Sequence, residues 1–309
     1  MTKNRLLAQI GLVLTTLAWG ATFVLVKDSL EYAKPFTFIF FRFIIATLTI
    51  LPFILLKKEK LSKFFRNFNS NEIKGGIICG FLLYAGYAFQ NFGLDITIPS
   101  KSAFITSISV LIVPIILIFY KKEKISYNLW ISILIVVAGL YLLIEPGSLI
   151  NQNTKYGNEA FLPNIGDLLT FGCAVFFAMH IIAQSDIVKN KINLIRFFIA
   201  QCLSVSIFAG ISALIFNEPS VLWNHPEINT LYLSLMINGM IATTFAIFMM
   251  IWAQKILTAG ETAVIFSLEP IFAVLFSIFM GVESFGILKW LGGIMVVLAV
   301  IYYSLSSNK

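Results

Sequence analysis

The sequence predicts an all-α membrane protein of about ten transmembrane helices, arranged as two inverted five-helix repeats. Three observations carry this. The 309 residues are 59% hydrophobic and only 12% charged, with a mean hydropathy of +0.90, whereas soluble domains run at about 45–50% apolar and about 25% charged. Apolar runs of roughly 20 residues, the length that crosses a ~30 Å hydrocarbon core, follow one another with short polar connections between them. Finally, the second half of the chain echoes the first at a nearly constant offset.

Taken in order, the runs cover 6–26, 35–56, 73–93, 102–120, 127–144, 165–184, 192–216, 229–252, 261–281 and 285–305. Lys3 and Arg5 ahead of the first run resemble the start of a secretory signal. The run is nevertheless a full span, and no small-residue cleavage pattern follows it, so it reads as a retained helix. The ~10-residue alternating segments of an outer-membrane barrel are absent from the sequence. Lys57 to Lys74 and Lys121-Lys122-Glu123-Lys124 are strongly basic connections, which places them and both termini in the cytoplasm of a bacterial inner membrane. The connections on the other side agree: Glu145 to Asn164 is short of base, and Asn217 to Asn229 carries Glu218 and Glu227 with no Lys or Arg.

The net charge of +7 therefore reports membrane orientation and gives no reason to expect nucleic acid. Cys79, Cys173 and Cys202 lie inside apolar runs without a CxxC pair, and read as small buried hydrophobes, with no disulfide framework or zinc site. No phosphate-cradling GxxxxGK[ST], no HExxH and no GxSxG occurs, so neither ATP hydrolysis nor an intramembrane enzyme is supported. No cofactor or metal is expected.

The internal echo has two parts. Arg42-Phe43-Ile44-Ile45-Ala46 recurs as Arg196-Phe197-Phe198-Ile199-Ala200, an offset of 196 − 42 = 154. A gap-free match then pairs Ala103 with Ala263, Ile105 with Ile265, Ser107 with Ser267, Glu123 with Glu283 and Trp130 with Trp290, each 160 residues apart. The chain divides on this reading into a first repeat at 1–145, a periplasmic connecting loop at 146–164 and a second repeat at 165–309. Five helices per copy invert the second copy relative to the first, and such repeats place a substrate site near the midplane between them.

These residues resemble the drug/metabolite transporter superfamily in its ten-helix EamA branch. The resemblance rests on Trp19-Gly20 in the first span, Arg42 with Ala46 in the second, and GLDITIPSKSAFI, residues 93–105, leading into the fourth. It rests also on Glu123 after the fourth, on Ser267-Leu268-Glu269-Pro270 in the ninth, and on Gly281-Val282-Glu283 at its close. It covers nearly the whole chain, and implies export of small metabolites, often amino acids, by alternating access through a central cavity; translocation of lipids or nucleotide-like metabolites by the same fold is the alternative, ahead of an intramembrane enzyme or a scaffold. The first copy departs from the second by placing Val110 opposite Pro270, with its own Pro114 four residues later.

Glu269 sits near the midplane, where a charge costs about 2.5–3.5 kcal/mol on insertion scales and therefore faces protein or water. It serves as a proton or substrate-amine contact, or as a structural helix-to-helix contact. Pro270 and Pro114 are expected to kink their helices, freeing the carbonyls of Phe266 and Val110. His180 is the one histidine inside a span, a proton relay or a hydrogen-bonded structural group, while His225 falls in an outside loop. Arg42 and Arg196, near their helix ends, are placed to snorkel and to play a structural role in each copy. Trp19, Tyr84, Tyr87, Gln90, Asn91, Asn238, Thr243, Thr244 and Trp252 supply the few polar or aromatic groups that a mostly apolar substrate cavity needs. A small-molecule substrate and the lipid bilayer are the expected partners, with proton or sodium coupling as the drive.

Overall fold

The computed structural model describes residues 3–56, 61–144, 164–218, 228–282 and 286–306. The segment 146–163, His225, Glu227 and Glu283 lie outside them. All regular structure among the described residues is helical. The first copy comprises α1 (Lys3–Ser29), α2 (Pro35–Leu56), a short α3 (Leu61–Arg66), α4 (Ser70–Ile96), α5 (Pro99–Thr106), α6 (Ser109–Phe119) and α7 (Tyr127–Ile144). The second comprises α8 (Ile165–Val188), α9 (Leu194–Ile215), α10 (Ile228–Gly239), a π-helical turn (Met240–Phe245), α11 (Ala246–Ala253), α12 (Ala259–Phe266), α13 (Glu269–Phe279) and α14 (Ile287–Ser306).

With α5–α6, α10–α11 and α12–α13 each forming one interrupted span, ten spans result. Nine are long and apolar enough to cross a membrane, and α7 is the short one, 18 residues or ~27 Å. It lies along α14, and a Cβ on Gly139 would fall 2.8 Å from the Gly292 carbonyl. Glycine on both helices is what lets the two backbones meet, the usual device where lipid removes the hydrophobic drive between helices. Leu48, Leu55, Ile78, Leu134, Ile207 and Leu298 are exposed on the outer surface, as expected when the surrounding solvent is lipid.

Capping residues set where the spans begin. Asn69 with Glu72, Asn164 with Asp167, and Thr258 with Glu261 each form a capping box in which side chain and backbone satisfy each other's donors. Glu72, wholly buried, also accepts two bonds from Arg196, Nε to Oε2 at 2.7 Å and Nη2 to Oε1 at 3.1 Å, which ties α4 to α9.

The repeat is visible in the helix bounds. α5 and α6 recur 160 residues later as α12 and α13, and α14 starts 160 residues after α7, matching the gap-free sequence echo. The other echo is corrected. α2 and α9 start at Pro35 and Leu194, an offset of 194 − 35 = 159, so the counterpart of Arg42 is Gln201 and that of Arg196 is Thr37. Spans drawn from few residue types repeat short patterns by chance, and the Arg-Phe match is of that kind.

The two broken spans also differ from expectation. Both interruptions fall at matched serines, Ser107–Ile108 and Ser267–Leu268. There the i→i−4 ladder gives way to i→i−3 bonds such as Ile108 N to Ile105 O and Leu268 N to Ile265 O, both 3.1 Å. Pro270 is the second residue of α13, a position whose amide would lack a helical partner anyway. Pro114 lies inside α6, seven residues past the first break. The first copy breaks with Val110 in the place of Pro270, so the interruption does not depend on proline.

Candidate transport cavity

A cavity of about 50 Å³ lies between the two copies, walled by α1, α2, α4, α5 and α6 of the first and α8, α11, α12 and α13 of the second. That is room for a few waters. Its floor and walls are mostly apolar (Phe23, Val26, Leu83, Leu94, Phe177, Ile181, Met250, Phe266), and its polar points are Trp19, Thr22, Arg42, Tyr87, Gln90, Thr106, Ser107, Ser109, His180 and Glu269.

Arg42 organises one wall. It is 3% exposed and is the only charged residue of α2. Nε donates to Thr243 Oγ1 at 2.7 Å, and Nη2 donates to Tyr87 Oη at 3.1 Å and to the Ala242 carbonyl at 3.3 Å. Its guanidinium carbon sits 4.4 Å from the centre of the Tyr87 ring, a cation–π distance. The Ala242 carbonyl also accepts Trp19 Nε1 at 2.7 Å. Both acceptors belong to the π-helical turn, a local widening that recurs at functional sites because it redirects backbone and side chains. Thr244 steadies that turn by donating to the carbonyls of Gly239 at 2.9 Å and Ala46 at 3.2 Å.

Glu269 stands on the other wall as the first residue of α13, immediately after the break. The break turns its side chain into the cavity, where it is 6% exposed. Gly20 of α1 permits this position, since a Cβ there would lie 2.7 Å from the Glu269 carbonyl and 2.5 Å from Phe272 Cβ. Counted along their helices, Arg42 is ~10 Å from the start of its span and Glu269 ~15 Å from the start of the oppositely directed ninth span. Glu269 is therefore about halfway and Arg42 about a third of the way across a ~30 Å core. No direct ion pair joins them among the described residues.

Elsewhere around the cavity, Gln90 Nε2 donates to Thr106 Oγ1 at 3.4 Å, and Gln201, the repeat counterpart of Arg42, contacts His180 Nε2 at 3.0 Å through its amide nitrogen. Of the residues singled out from sequence, Trp19, Tyr87, Gln90, His180 and Glu269 meet in the cavity, and Thr243 stands behind Arg42. Thr244 lies in the same π-helical turn, and four more do not line the cavity either. Tyr84 turns toward α9 and bonds Ser212 Oγ at 2.5 Å. Trp252 packs in the apolar core beside α1. Asn238 donates back to the Ser234 carbonyl at 2.9 Å, and Asn91 is buried in α4, its amide without a partner. Arg42 overturns the interfacial reading, because it is buried and spends its donors on Tyr87, Thr243 and Ala242. Its signal was present: a lone charge seven residues past the start of an otherwise apolar span. Thr106, Ser107 and Ser109 had only the break itself to announce them.

The comparisons with known proteins follow the same outline. The EamA-like transporter family matches the chain twice, over residues 6–145 and 164–305. An uncharacterised transporter of Archaeoglobus fulgidus is 31% identical over 305 residues, covering 98% of this chain and 87% of its own length. An S-adenosylmethionine uptake transporter of Rickettsia prowazekii is 24% identical over 273 residues, with 87% of this chain and 83% of its own length covered. A solved crystal structure superposes with a TM-score of 0.74 over 99% of both chains at 18% identity, which shares the fold. With ten spans in two copies and a charged cavity between them, the chain belongs to the EamA-like transporter family and is a multi-pass membrane transporter.

Proposed function

We propose that this chain is a secondary transporter that exports small metabolites, amino acids or related amphipathic compounds, by alternating access through the central cavity. The observation that carries the proposal is the cavity's composition and place: apolar and aromatic walls with Arg42 and Glu269 well inside their spans, between two inverted copies. The basic connections at Lys57–Lys74 and Lys121–Lys124 support a bacterial inner-membrane setting with cytoplasmic termini, and a proton or sodium gradient supplies the drive.

A second reading, uptake of an S-adenosylmethionine-like compound, is favoured by the relatives that carry that name. Such a molecule also ends in an amino-acid group, so the two readings differ more in direction than in chemistry. The experiment is transport by purified protein in proteoliposomes loaded with a mixed pool of amino acids, amines and S-adenosylmethionine, followed by mass spectrometry with and without ion gradients. Release of an unchanged amino-acid-type compound above protein-free controls supports the proposal, and release of none of them overturns it.

A further inference from the structure

The short helix α3 takes no part in the cavity. Its six residues, ~9 Å in length, cannot cross a bilayer, and it lies between the end of α2 and the start of α4. Phe64 fixes it in place. The ring is 2% exposed, belongs to the same buried cluster as Ile54, Val188 and Ile192, and stands 5.9 Å from the guanidinium carbon of Arg196. Arg196 and the Asn193 amide are in turn bonded to Glu72 at the start of α4. Three elements therefore share one base at this end of the bundle: α3, the first turn of α4, and the connection from α8 to α9.

Five cations project from that base. Lys63 and Arg66 of α3, Lys74 of α4, and Lys189 and Lys191 between α8 and α9 are all exposed, and none has a carboxylate within 4 Å among the described residues. The carboxylates nearest in sequence are engaged elsewhere, Glu72 with Arg196 and Asp186 with Lys121. Beside the cations the surface is apolar. Phe65 is 44% exposed and lies parallel to Phe68, their ring centres 6.0 Å apart. Next to Lys74, Ile73, Ile77 and Phe81 are exposed at successive turns of α4. That stripe runs ~12 Å along the helix, close to the ~15 Å hydrocarbon depth of one leaflet.

To orient a membrane protein, Lys and Arg need only stay on one side of the bilayer. Here a docked helix holds them at the border of the lipid-facing surface, next to an exposed aromatic ring. We infer that this base binds an anionic phospholipid, with its phosphate on Lys63, Arg66 and Lys74 and an acyl chain along Ile73, Ile77 and Phe81. The planar guanidinium of Arg66 offers paired donors to phosphate oxygens, and Phe65 sits at headgroup level, where aromatic rings are favoured. Lys189 and Lys191 add attraction that decays within a Debye length. Since α3 and α4 belong to the first copy and α9 to the second, a lipid held here lies on the seam between the copies. The leaflet follows from the cytoplasmic placement proposed above; the binding itself does not depend on transport.

Native mass spectrometry of the purified full chain tests this, titrated with phosphatidylglycerol and, separately, with phosphatidylcholine of the same acyl chains. Phosphatidylglycerol is expected to bind at least tenfold more tightly. Lys63→Gln combined with Arg66→Gln should remove most of that preference. Lys122→Gln combined with Lys124→Gln takes the same number of exposed charges from the turn after α6, outside the base, and should leave the preference within twofold. Equal binding of the two lipids by the wild-type protein would overturn the assignment. So would equal losses in the two double variants, since the attraction would then be diffuse surface charge with no site. The comparison of headgroups on the wild-type protein needs no variant, so a misfolded double variant still leaves a decisive result.

Discussion

Replacing Gly20 by alanine asks how closely α1 must approach α13 for the site to exist. The new Cβ would lie 2.5 Å from Phe272 Cβ, 2.7 Å from the Glu269 carbonyl and 2.9 Å from the Ala273 amide, where 3.4 Å is the near edge of ordinary contact. Two of the three neighbours are backbone, so no side chain can swing aside. The first turns of α13 must retreat by at least about 0.9 Å, the difference between 3.4 and 2.5 Å, and Glu269 moves with them. Overpacking of this kind costs ~1–3 kcal/mol, against the ~1 kcal/mol that alanine gains over glycine in a helix. Gly293→Ala is the matched control, because its nearest neighbours, Ile271 Cγ2 and Leu143 Cδ1, stand at 3.8 Å; it is expected to be neutral or slightly stabilising. Thermal unfolding in detergent should rank Gly293→Ala at or above wild type and Gly20→Ala below it. Substrate exchange in proteoliposomes should fall at least tenfold in Gly20→Ala and stay within twofold in Gly293→Ala. Wild-type exchange by a folded Gly20→Ala protein would refute the claim that this approach positions Glu269.

Three further outcomes follow from the same geometry. Glu269→Gln keeps shape but removes the titrating group, so the protein is expected to insert and fold while its flux loses its dependence on pH; an unchanged pH profile would remove Glu269 from proton coupling. Arg196→Gln leaves the buried Glu72 carboxylate with the Asn193 and Asn69 amides as its donors among the described residues, a loss on the order of 1–3 kcal/mol because Arg196 is itself 17% exposed. Adding Glu72→Gln should restore part of it, as read by melting temperature. Pro270→Ala is expected to leave flux within twofold, because the first copy breaks at Ser107 without a proline in that place; loss of transport would return the proline to the mechanism.

Sequence and structure agree where one physical constraint acts alone. Ten spans are legible because lipid demands ~20 apolar residues each, and the 160-residue echo from Ala103 to Trp130 survives in the bounds of α5, α6, α12 and α13. Where two constraints compete, the sequence misleads. Pro270 and Pro114 drew attention from Ser107 and Ser267, where the ladder changes, since a break made by backbone bonding leaves no obligatory residue. Helical spacing shows that Tyr84 and Tyr87 share a side of α4, but not which neighbour that side meets: Tyr84 turns to Ser212 and Tyr87 to Arg42. Arg42 read as interfacial because distance to a predicted helix end is uncertain by a turn. Burial depends on the π-helical turn and on Tyr87, residues 45 to 201 positions away.

The central claim is that substrate passes through the cavity between the two copies. Ser107 lines it, and its hydroxyl has no hydrogen-bond partner, so Ser107→Cys puts a near-isosteric thiol in the path. With the native cysteines replaced by alanine, labelling this thiol with a bulky maleimide should abolish flux relative to the unlabelled variant, and saturating substrate should slow the labelling. A fully labelled protein that transports at the unlabelled rate, with labelling indifferent to substrate, would place the path elsewhere and contradict the account.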